Sequence, residues 1–230
     1  MQEDIREYAM QIGADLVGFA KVEDFSEAPE GFHPNDIMPS AQSVIVIGKA
    51  LSAGTVYSEN KVVYTAQGEF VVRELDTLAT KLASYIEAKG FTAVPIPTDA
   101  PYFYWDEERQ HGMGILSHRH AAEKAGLGVI GKGALFITSE YGSRITLVTI
   151  LSDMEVSAPA SKPRLLCPPS CRKCLDACPS QALSGNGSVI QMRCRSHVAT
   201  VSDRGHALTN CWNCRLVCPM SQPRKQTKLL

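Results

Sequence analysis

Eight cysteines, all placed after residue 166, are the residues whose type and spacing most clearly indicate chemistry. They form two runs that share a Cys-x2-Cys-x3-Cys-Pro core, offset by forty residues. The eight are Cys167, Cys171, Cys174, Cys178, Cys194, Cys211, Cys214 and Cys218. Thiolates at such spacings, with proline after the last cysteine, bind iron–sulfur clusters. The sequence therefore predicts two [4Fe–4S] clusters, which would move single electrons.

Two other uses of paired cysteines compete with this prediction. Four thiolates at Cys-x2-Cys spacing can hold a structural zinc ion, but the Cys-Pro endings and the x3 spacing favour clusters. Disulfide frameworks belong mainly to small secreted domains. The residues Met1–Asp4 do not begin a secretory signal peptide, so we expect free thiols rather than disulfides.

The doubled runs resemble those of bacterial ferredoxins, in which the cysteine before proline binds the other cluster. This resemblance implies that the first cluster is held by Cys167, Cys171, Cys174 and Cys218. It implies that the second is held by Cys178, Cys194, Cys211 and Cys214. Two spacings depart from the ferredoxin pattern, because three residues separate Cys167 from Cys171 and a longer insert separates Cys194 from Cys211.

Composition and charge limit the partners. Hydrophobic residues make up 44% of the 230 residues, which is enough for a core, and the formal net charge is −1. No apolar stretch approaches the ~18 residues that a membrane span needs, and the near-zero charge gives no general attraction to a polyanion. We therefore expect a cytoplasmic protein with no membrane or DNA partner.

The apolar periodicity changes where the cysteines begin. Residues 1–156 alternate helix-type and strand-type patterns, which predicts an α+β domain. A linker is predicted over 157–166, a two-cluster domain over 167–222 and a basic tail over 223–230. Within the first domain, we predict helices near 5–12, 75–86 and 117–125, and strands at 14–20, 43–48 and 91–94. Two further strands are predicted to pair across the turn 140–143, at 134–138 and 144–151.

A glycine-rich segment, residues 126–133, matches G-x-G-x-x-G and nearly matches a phosphate-binding loop. Both motifs need a strand before the glycines and a helix after them. Here the predicted order is helix then strand, so neither reading holds. The glycines either turn the chain or let its backbone approach a large ligand. The candidate ligand contacts are Gly126, Leu127, Gly128, Gly131, Lys132 and Gly133.

Four segments together resemble the epoxyqueuosine reductase and reductive dehalogenase superfamily. They are residues 13–18, 38–46, 120–132 and 140–144, and the doubled cysteine runs follow them. The resemblance implies a nitroreductase-like domain that binds cobalamin, followed by a bacterial-ferredoxin-like domain with two [4Fe–4S] clusters. It also implies that electrons pass from cluster to cluster to cobalt, and that Lys132 and Arg119 hold polar groups of the corrinoid.

The chain departs from the family at the expected catalytic aspartate. Epoxyqueuosine reductases carry an Asp-[ST]-Ala-Pro-x-x-Glu segment before the Ala-Gly-Leu-Gly stretch. An ungapped alignment places Gly112 at the aspartate and His118 at the glutamate, whereas Asp99 followed by Ala100 and Pro101 matches only with an insertion. The C-terminal helical repeats of the tRNA-acting enzymes, and the Tat signal and longer domain of the dehalogenases, are not found here. We therefore expect tRNA not to be a partner.

A reductive cleavage needs a proton donor near the metal. The candidate catalytic residues are His118, Tyr104 and Tyr102, with His111 and His120 also close to the glycine-rich segment. The aromatic residues 102–105 could equally form a packing cluster. The sequence predicts an oxidoreductase that takes electrons from a donor such as ferredoxin or flavodoxin and reduces a small molecule or the corrinoid. The alternative is an electron-transfer protein whose first domain binds no cofactor and only docks partners; a flavin site is a further possibility.

Overall fold

A computed structural model describes residues 1–157 and 166–221. Its centre is a four-stranded antiparallel sheet in the order β1-β2-β8-β3. The strands are β1 (Leu16–Lys21), β2 (Ser43–Ala50), β3 (Ala93–Pro95) and β8 (Ile145–Ser152). Strands β2 and β8 are buried along nearly their whole length, which explains their continuous runs of β-branched residues.

Helices cover both faces of this sheet. One face, which includes Ile45, Ile47 and Ile150, packs against α1 (Gln2–Gln11) and α4 (Lys61–Glu87). The other face, which includes Val46 and Leu151, packs against α5 (His118–Lys124). The predicted α+β layering and the three predicted helices are therefore present, although α4 begins well before residue 75.

The long helix α4 has two halves with different environments. Its second half buries Leu75, Leu82 and Ile86 against the sheet. Its first half extends beyond the sheet and leaves Val62 and Phe70 more than half exposed. The shorter helices before it are α2 (Pro34–Ile37) and α3 (Ala53–Tyr57). The first half of α4 is therefore free to form the wall of a cleft.

The predicted pairing of strands 134–138 and 144–151 is wrong. Strand β7 (Phe136–Ile137) pairs instead with β6 (Val129–Ile130), while β8 lies between β2 and β3. A single bridge, Thr138 to Gly142, remains of the expected hairpin. The physical reason is burial. Strand β8 is long and apolar, and it buries the most apolar surface when it lies in the centre of the sheet. A separate hairpin is formed by β4 (Tyr104–Asp106) and β5 (His111–Met113).

The cysteine region is built from short elements. These are α6 (Lys173–Asp176), α7 (Gln191–Val198), α8 (Asn213–Leu216) and the hairpin of β9 (Ala199–Val201) with β10 (Ala207–Thr209). Most of the predicted linker, residues 158–165, and the predicted tail, 223–230, lie outside the described residues. Across the described parts of the chain, no helix has the length and hydropathy to cross a bilayer.

Candidate redox site

The thiols of the first cysteine run lie close to the last cysteine of the second. One pocket is lined by Cys167, Cys171, Cys174 and Cys218, and Cys214 of the second run also lines it. Burial raises the pKa of the Cys174 thiol, and the neighbouring thiols of Cys167, Cys218 and Cys171 raise that pKa further. These four are the residues that the ferredoxin pattern assigns to the first cluster.

The remaining four thiols form a second neighbourhood. Burial raises the pKa of Cys194, with further increases from Cys178 and Cys211. Burial also raises the pKa of Cys214 to about 11, opposed by the Arg215 charge and reinforced by Cys194 and Cys211. These thiols thus lie near one another, and their division into two ligand sets and their binding of iron stay predictions. Among residues 1–157 and 166–221, no three His, Cys, Asp or Glu side chains are placed to share one metal ion.

Cys178 has the hydrogen bonds expected of a thiolate ligand. Its Sγ accepts from the Ala182 amide at 3.3 Å and lies 3.7 Å from the Ser180 hydroxyl. Burial is the largest influence on this thiol and raises its pKa, but the bonds from Ala182 and Ser180 together lower it below the ordinary value. N–H···S bonds of this kind orient cluster ligands and tune their potentials.

The glycine-rich segment packs against the first cysteine run. A Cβ at Gly133 would lie 3.0 Å from Cys174 Sγ, and one at Gly128 would lie 2.1 Å from the Ile137 carbonyl oxygen. The Lys132 ammonium donates to the carbonyls of Pro169 and Cys171. The glycines therefore allow close backbone packing, and Lys132 holds the loop that carries the first thiols.

The other predicted contacts near this segment also meet the protein itself. Gly126, at φ +73°, ends α5, and Leu127 packs so closely on β1 that a Cβ at Gly18 would lie 2.7 Å from its Cγ. A Cβ at Gly131 would lie 2.5 Å from Ile137 Cδ1. The Arg119 guanidinium donates to the Ala134 carbonyl. Their contact with a large ligand stays a prediction.

Residues 140–144 pack against the end of the second cysteine run. Gly142 has φ +59°, and a Cβ there would lie 1.6 Å from the Met220 carbonyl oxygen. The Ser143 hydroxyl bonds to that of Ser221, and Arg144 Nε donates to the Ser221 carbonyl at 2.9 Å. Sequence reasoning singled out this segment only by resemblance, because its partners lie almost eighty residues away.

A buried aromatic pair, which sequence reasoning missed, joins the second run to α4. Trp212 lies between Cys211 and Cys214, is 8% exposed and donates from Nε1 to the Val56 carbonyl at 2.9 Å. Its ring stacks on Tyr64 at a centroid distance of 4.3 Å. The only sequence signal is a large aromatic residue inside a Cys-x2-Cys loop, where solvent-facing residues are expected.

A cleft lies between the first half of α4, the start of β8 and the β9–β10 hairpin. One cavity, of about 520 Å³, is lined by Gly68, Arg73, Thr146 and Arg215, among others. A second, of about 450 Å³, is lined by Tyr102 and His118. Both cavities have Asp99 in their walls. The two cavities therefore adjoin at Asp99, and Arg215, which follows Cys214 in the chain, lines the larger one.

The three predicted catalytic residues differ in position. Tyr102 lines the cleft, donates to Asp99 Oδ1 at 3.2 Å and accepts from Arg195 Nη2 at 3.2 Å. His118 also lines it, whereas Tyr104 is 44% exposed and is not among the lining residues described. The structure thus brings Tyr102 and His118 to one cavity and leaves Tyr104 on the outer surface of its hairpin.

Both ring nitrogens of His118 have partners. Nε2 lies 2.9 Å from the Pro97 carbonyl and Nδ1 lies 2.8 Å from the Thr149 hydroxyl. Because a carbonyl only accepts, Nε2 carries the proton and Nδ1 accepts from Thr149. Burial lowers the pKa of His118, more than the Pro97 carbonyl bond raises it. The neutral imidazole therefore ties α5 to β8. Elsewhere, His120 bonds to Ser117, and His111 lies on β5.

The β4–β5 hairpin is fastened to the helix that carries Cys194. The side-chain amide of Gln191 pairs with both backbone groups of Gly112, at 3.0 and 2.9 Å. The Arg195 guanidinium covers the rings of Tyr102 and Trp105, at 5.4 and 5.1 Å. Tyr102 and Trp105 belong to the aromatic residues that the sequence offered as either packing or catalytic groups. Both contact Arg195, which follows Cys194 in the chain.

Known proteins share this fold. The chain is 28% identical over 264 residues to the epoxyqueuosine reductase of Staphylococcus aureus, covering 96% of this chain and 65% of the relative. It superimposes with a TM-score of 0.65 on epoxyqueuosine reductase from Streptococcus thermophilus, at 21% identity, covering 96% of this chain and 66% of that one. A reductive dehalogenase described as B12-dependent gives a TM-score of 0.70 at 19% identity, covering 96% and 31%.

The chain belongs to the superfamily of epoxyqueuosine reductases and reductive dehalogenases. No family model matches it. It spans a little under two thirds of the length of the Staphylococcus aureus enzyme. Relatives in both branches are named for reductive reactions, as epoxyqueuosine reductase and as tetrachloroethene reductive dehalogenase.

Proposed function

We propose that this protein passes single electrons through two [4Fe–4S] clusters to a corrinoid bound in the cleft beside α4. The observation that carries the proposal is the position of Arg215, which follows Cys214 in the chain and lines the cleft. A group bound there would lie directly beside the second thiol set. Short distances of this kind are what electron transfer requires.

The cluster ligands are the two thiol neighbourhoods. The first set is Cys167, Cys171, Cys174 and Cys218. The second set is Cys178, Cys194, Cys211 and Cys214. The mutual pKa effects within each set support this division, and the pocket lined by all four thiols of the first set, which Cys214 also lines, brings the two sets next to each other. Four thiolates per cluster is the ordinary ligand count.

The cleft fits a corrinoid in two respects. Gly68 lies mid-helix in α4, and a Cβ there would meet no atom within 4 Å, so the wall is open where a side chain would fill it. Arg215 Nε is enclosed without a hydrogen-bond partner among the described residues. Arg73 and Arg215 would hold the carboxamide oxygens of the corrinoid rim. A bound corrinoid would supply a cobalt centre that accepts electrons.

Tyr102 is the residue we assign as proton donor. Its hydroxyl lies between the Asp99 carboxylate and the Arg195 guanidinium, and it faces the cleft. The arginine stabilises a phenolate after proton release, and Asp99 orients the hydroxyl. His118, whose nitrogens are both engaged, positions α5. Gly133 and Lys132 contribute to the same site because they pack against the loop that carries the first thiol set.

Substrate and electron donor follow from the relatives only as candidates. We propose a small oxidised molecule as substrate, and a ferredoxin or flavodoxin as donor. One solved structure, similar at a TM-score of 0.65, shows epoxyqueuosine reductase with a modified tRNA stem loop. An epoxyqueuosine-containing stem loop therefore belongs among the substrates tested, although the sequence favoured no tRNA partner.

The test is anaerobic reconstitution of the full chain with iron, sulfide and a corrinoid, followed by metal counting and absorption spectroscopy. About eight irons per chain are expected for two clusters, together with one cobalt and a corrinoid spectrum that changes on reduction. Clusters without cobalt would support the electron-transfer alternative instead. Failure to assemble iron would overturn both.

A further inference from the structure

The two cysteine runs are equivalent in spacing but not in charge. Leu175 follows Cys174 in the first run, and Arg215 follows Cys214 at the matching position of the second. Each lies on a four-residue helix, α6 or α8, and these helices pack together. The two predicted clusters therefore have different side chains at one matching position.

Arg215 is held in an unusual environment for a cation. Its Nη1 donates to the Tyr64 hydroxyl at 2.8 Å, while Nε is enclosed without a partner among the described residues. Within those residues, no carboxylate lies in ion-pair range of its guanidinium. A partly buried guanidinium needs a compensating negative charge. The second thiol set, which begins at the preceding residue, would supply that charge when it holds a cluster.

The arginine in the first run has a different environment. Arg172 occupies the position that matches Trp212, is exposed, and pairs with Asp176 at 3.5 Å. Solvent screens such a charge, and the carboxylate offsets it. Arg172 therefore exerts little net charge on the first thiol set.

We infer that Arg215 raises the reduction potential of the second cluster. The inference rests on the proposed function, because it requires both clusters. On reduction, each cluster gains one electron from a one-electron reductant, and no bond forms or breaks. A fixed cation in a low-dielectric site stabilises the more negative, reduced cluster. The first thiol set has cations of its own, because Lys132 and Lys173 line its pocket. Removing Arg215 should therefore shift the potential of the second cluster alone.

The experiment is a redox titration of the reconstituted full chain with dithionite, followed by electron paramagnetic resonance. Two one-electron transitions are expected. Arg215→Gln should lower one of the two potentials and leave the other unchanged, whereas Arg215→Lys should retain most of the wild-type value. The matched control is Arg172→Gln, which should shift neither potential appreciably. Iron content and circular dichroism report whether each variant is folded and loaded.

Two outcomes would overturn the inference while leaving the clusters in place. One is an Arg215→Gln variant with full iron content and unchanged potentials. The other is an equal shift in Arg172→Gln. Should Arg215→Gln lose iron, Leu175→Arg decides, because a cation introduced at the matching position beside the first cluster should raise one of the two potentials, and no change would count against the inference. Absence of iron in the wild-type chain would instead refute the proposed function.

Discussion

At the scale of single residues, Tyr102 and His118 share one cavity but have different roles because their partners differ. The Tyr102 hydroxyl donates to the Asp99 carboxylate and accepts from the Arg195 guanidinium, and it is the proton donor that we propose. The His118 ring has a carbonyl on one side and a hydroxyl on the other, and burial lowers its pKa, which favours the neutral form. Spacing in the sequence could not distinguish these two environments.

Replacing Tyr102 by Phe should lower turnover by on the order of 10²-fold, the usual contribution of a general acid. Cluster content and corrinoid binding should be unchanged, because the ring that stacks under Arg195 remains. The measurement is single-turnover substrate reduction with the reconstituted enzyme. Tyr104→Phe is the matched control, since that phenol is outside the cleft; an equal loss in both variants would contradict the assignment.

His118 should make stability depend on pH. Burial lowers its pKa below the ordinary ~6.5, so the unfolded chain binds a proton that the folded protein does not. The stability is therefore complete above about pH 6.5 and is lost as the pH falls towards the lowered pKa. Thermal unfolding of His118→Gln should show a smaller decrease between about pH 7 and pH 5 than wild type. An unchanged pH dependence would show that this imidazole is not responsible.

At the scale of elements, short glycine-containing segments decide how the two halves of the chain meet. Gly133 and Lys132 receive the first cysteine run, and Gly142 and Arg144 receive the end of the second. The segments that resemble the superfamily are thus the ones that pack against the cysteine region. Sequence patterning identified the segments, but it favoured a ligand as their partner because backbone contacts across forty or eighty residues leave no local signal.

Gly142→Ala should disrupt the docking of the second run. Alanine disfavours φ +59°, and its Cβ would overlap the Met220 carbonyl, so we expect destabilisation of at least ~2 kcal/mol. Thermal unfolding and the rate of iron loss are the measurements. Gly54→Ala in α3 is the control, because its Cβ would meet only Ser52 Oγ at 3.9 Å, and there we expect a change within ~1 kcal/mol. Equal effects would show that docking does not depend on Gly142.

At the scale of the whole molecule, the proposed ligand sets cross between the two cysteine runs, so neither proposed cluster would belong to one run alone. Cys218 lies with Cys171 and Cys174 in the first pocket, although it ends the second run. This crossing would join residues some forty positions apart through each cluster. The assembled clusters would therefore act as cross-links that hold the cysteine region together.

Cys218→Ala should disturb the first cluster and spare the second. The iron content should fall towards about four per chain, and the remaining spectrum should match that of Cys171→Ala. It should differ from the spectrum of Cys211→Ala, which retains the other cluster. Electron paramagnetic resonance of the three reduced variants makes the comparison. A Cys218→Ala spectrum that matches Cys211→Ala would refute the crossed pattern.

The cysteine spacing by itself predicts two sets of four thiols, because the repeat on which that prediction depends is visible in the sequence. The apolar runs likewise determined the bodies of β2, β8 and α4, since local periodicity reports which face of an element is buried. Only the tertiary structure decided that β8 pairs with β2 and β3 rather than β7. It alone placed Trp212 on Tyr64 and Arg215 at the cleft. Those outcomes depend on contacts between distant segments, where the free energy of burial chooses among partners that a local pattern cannot rank.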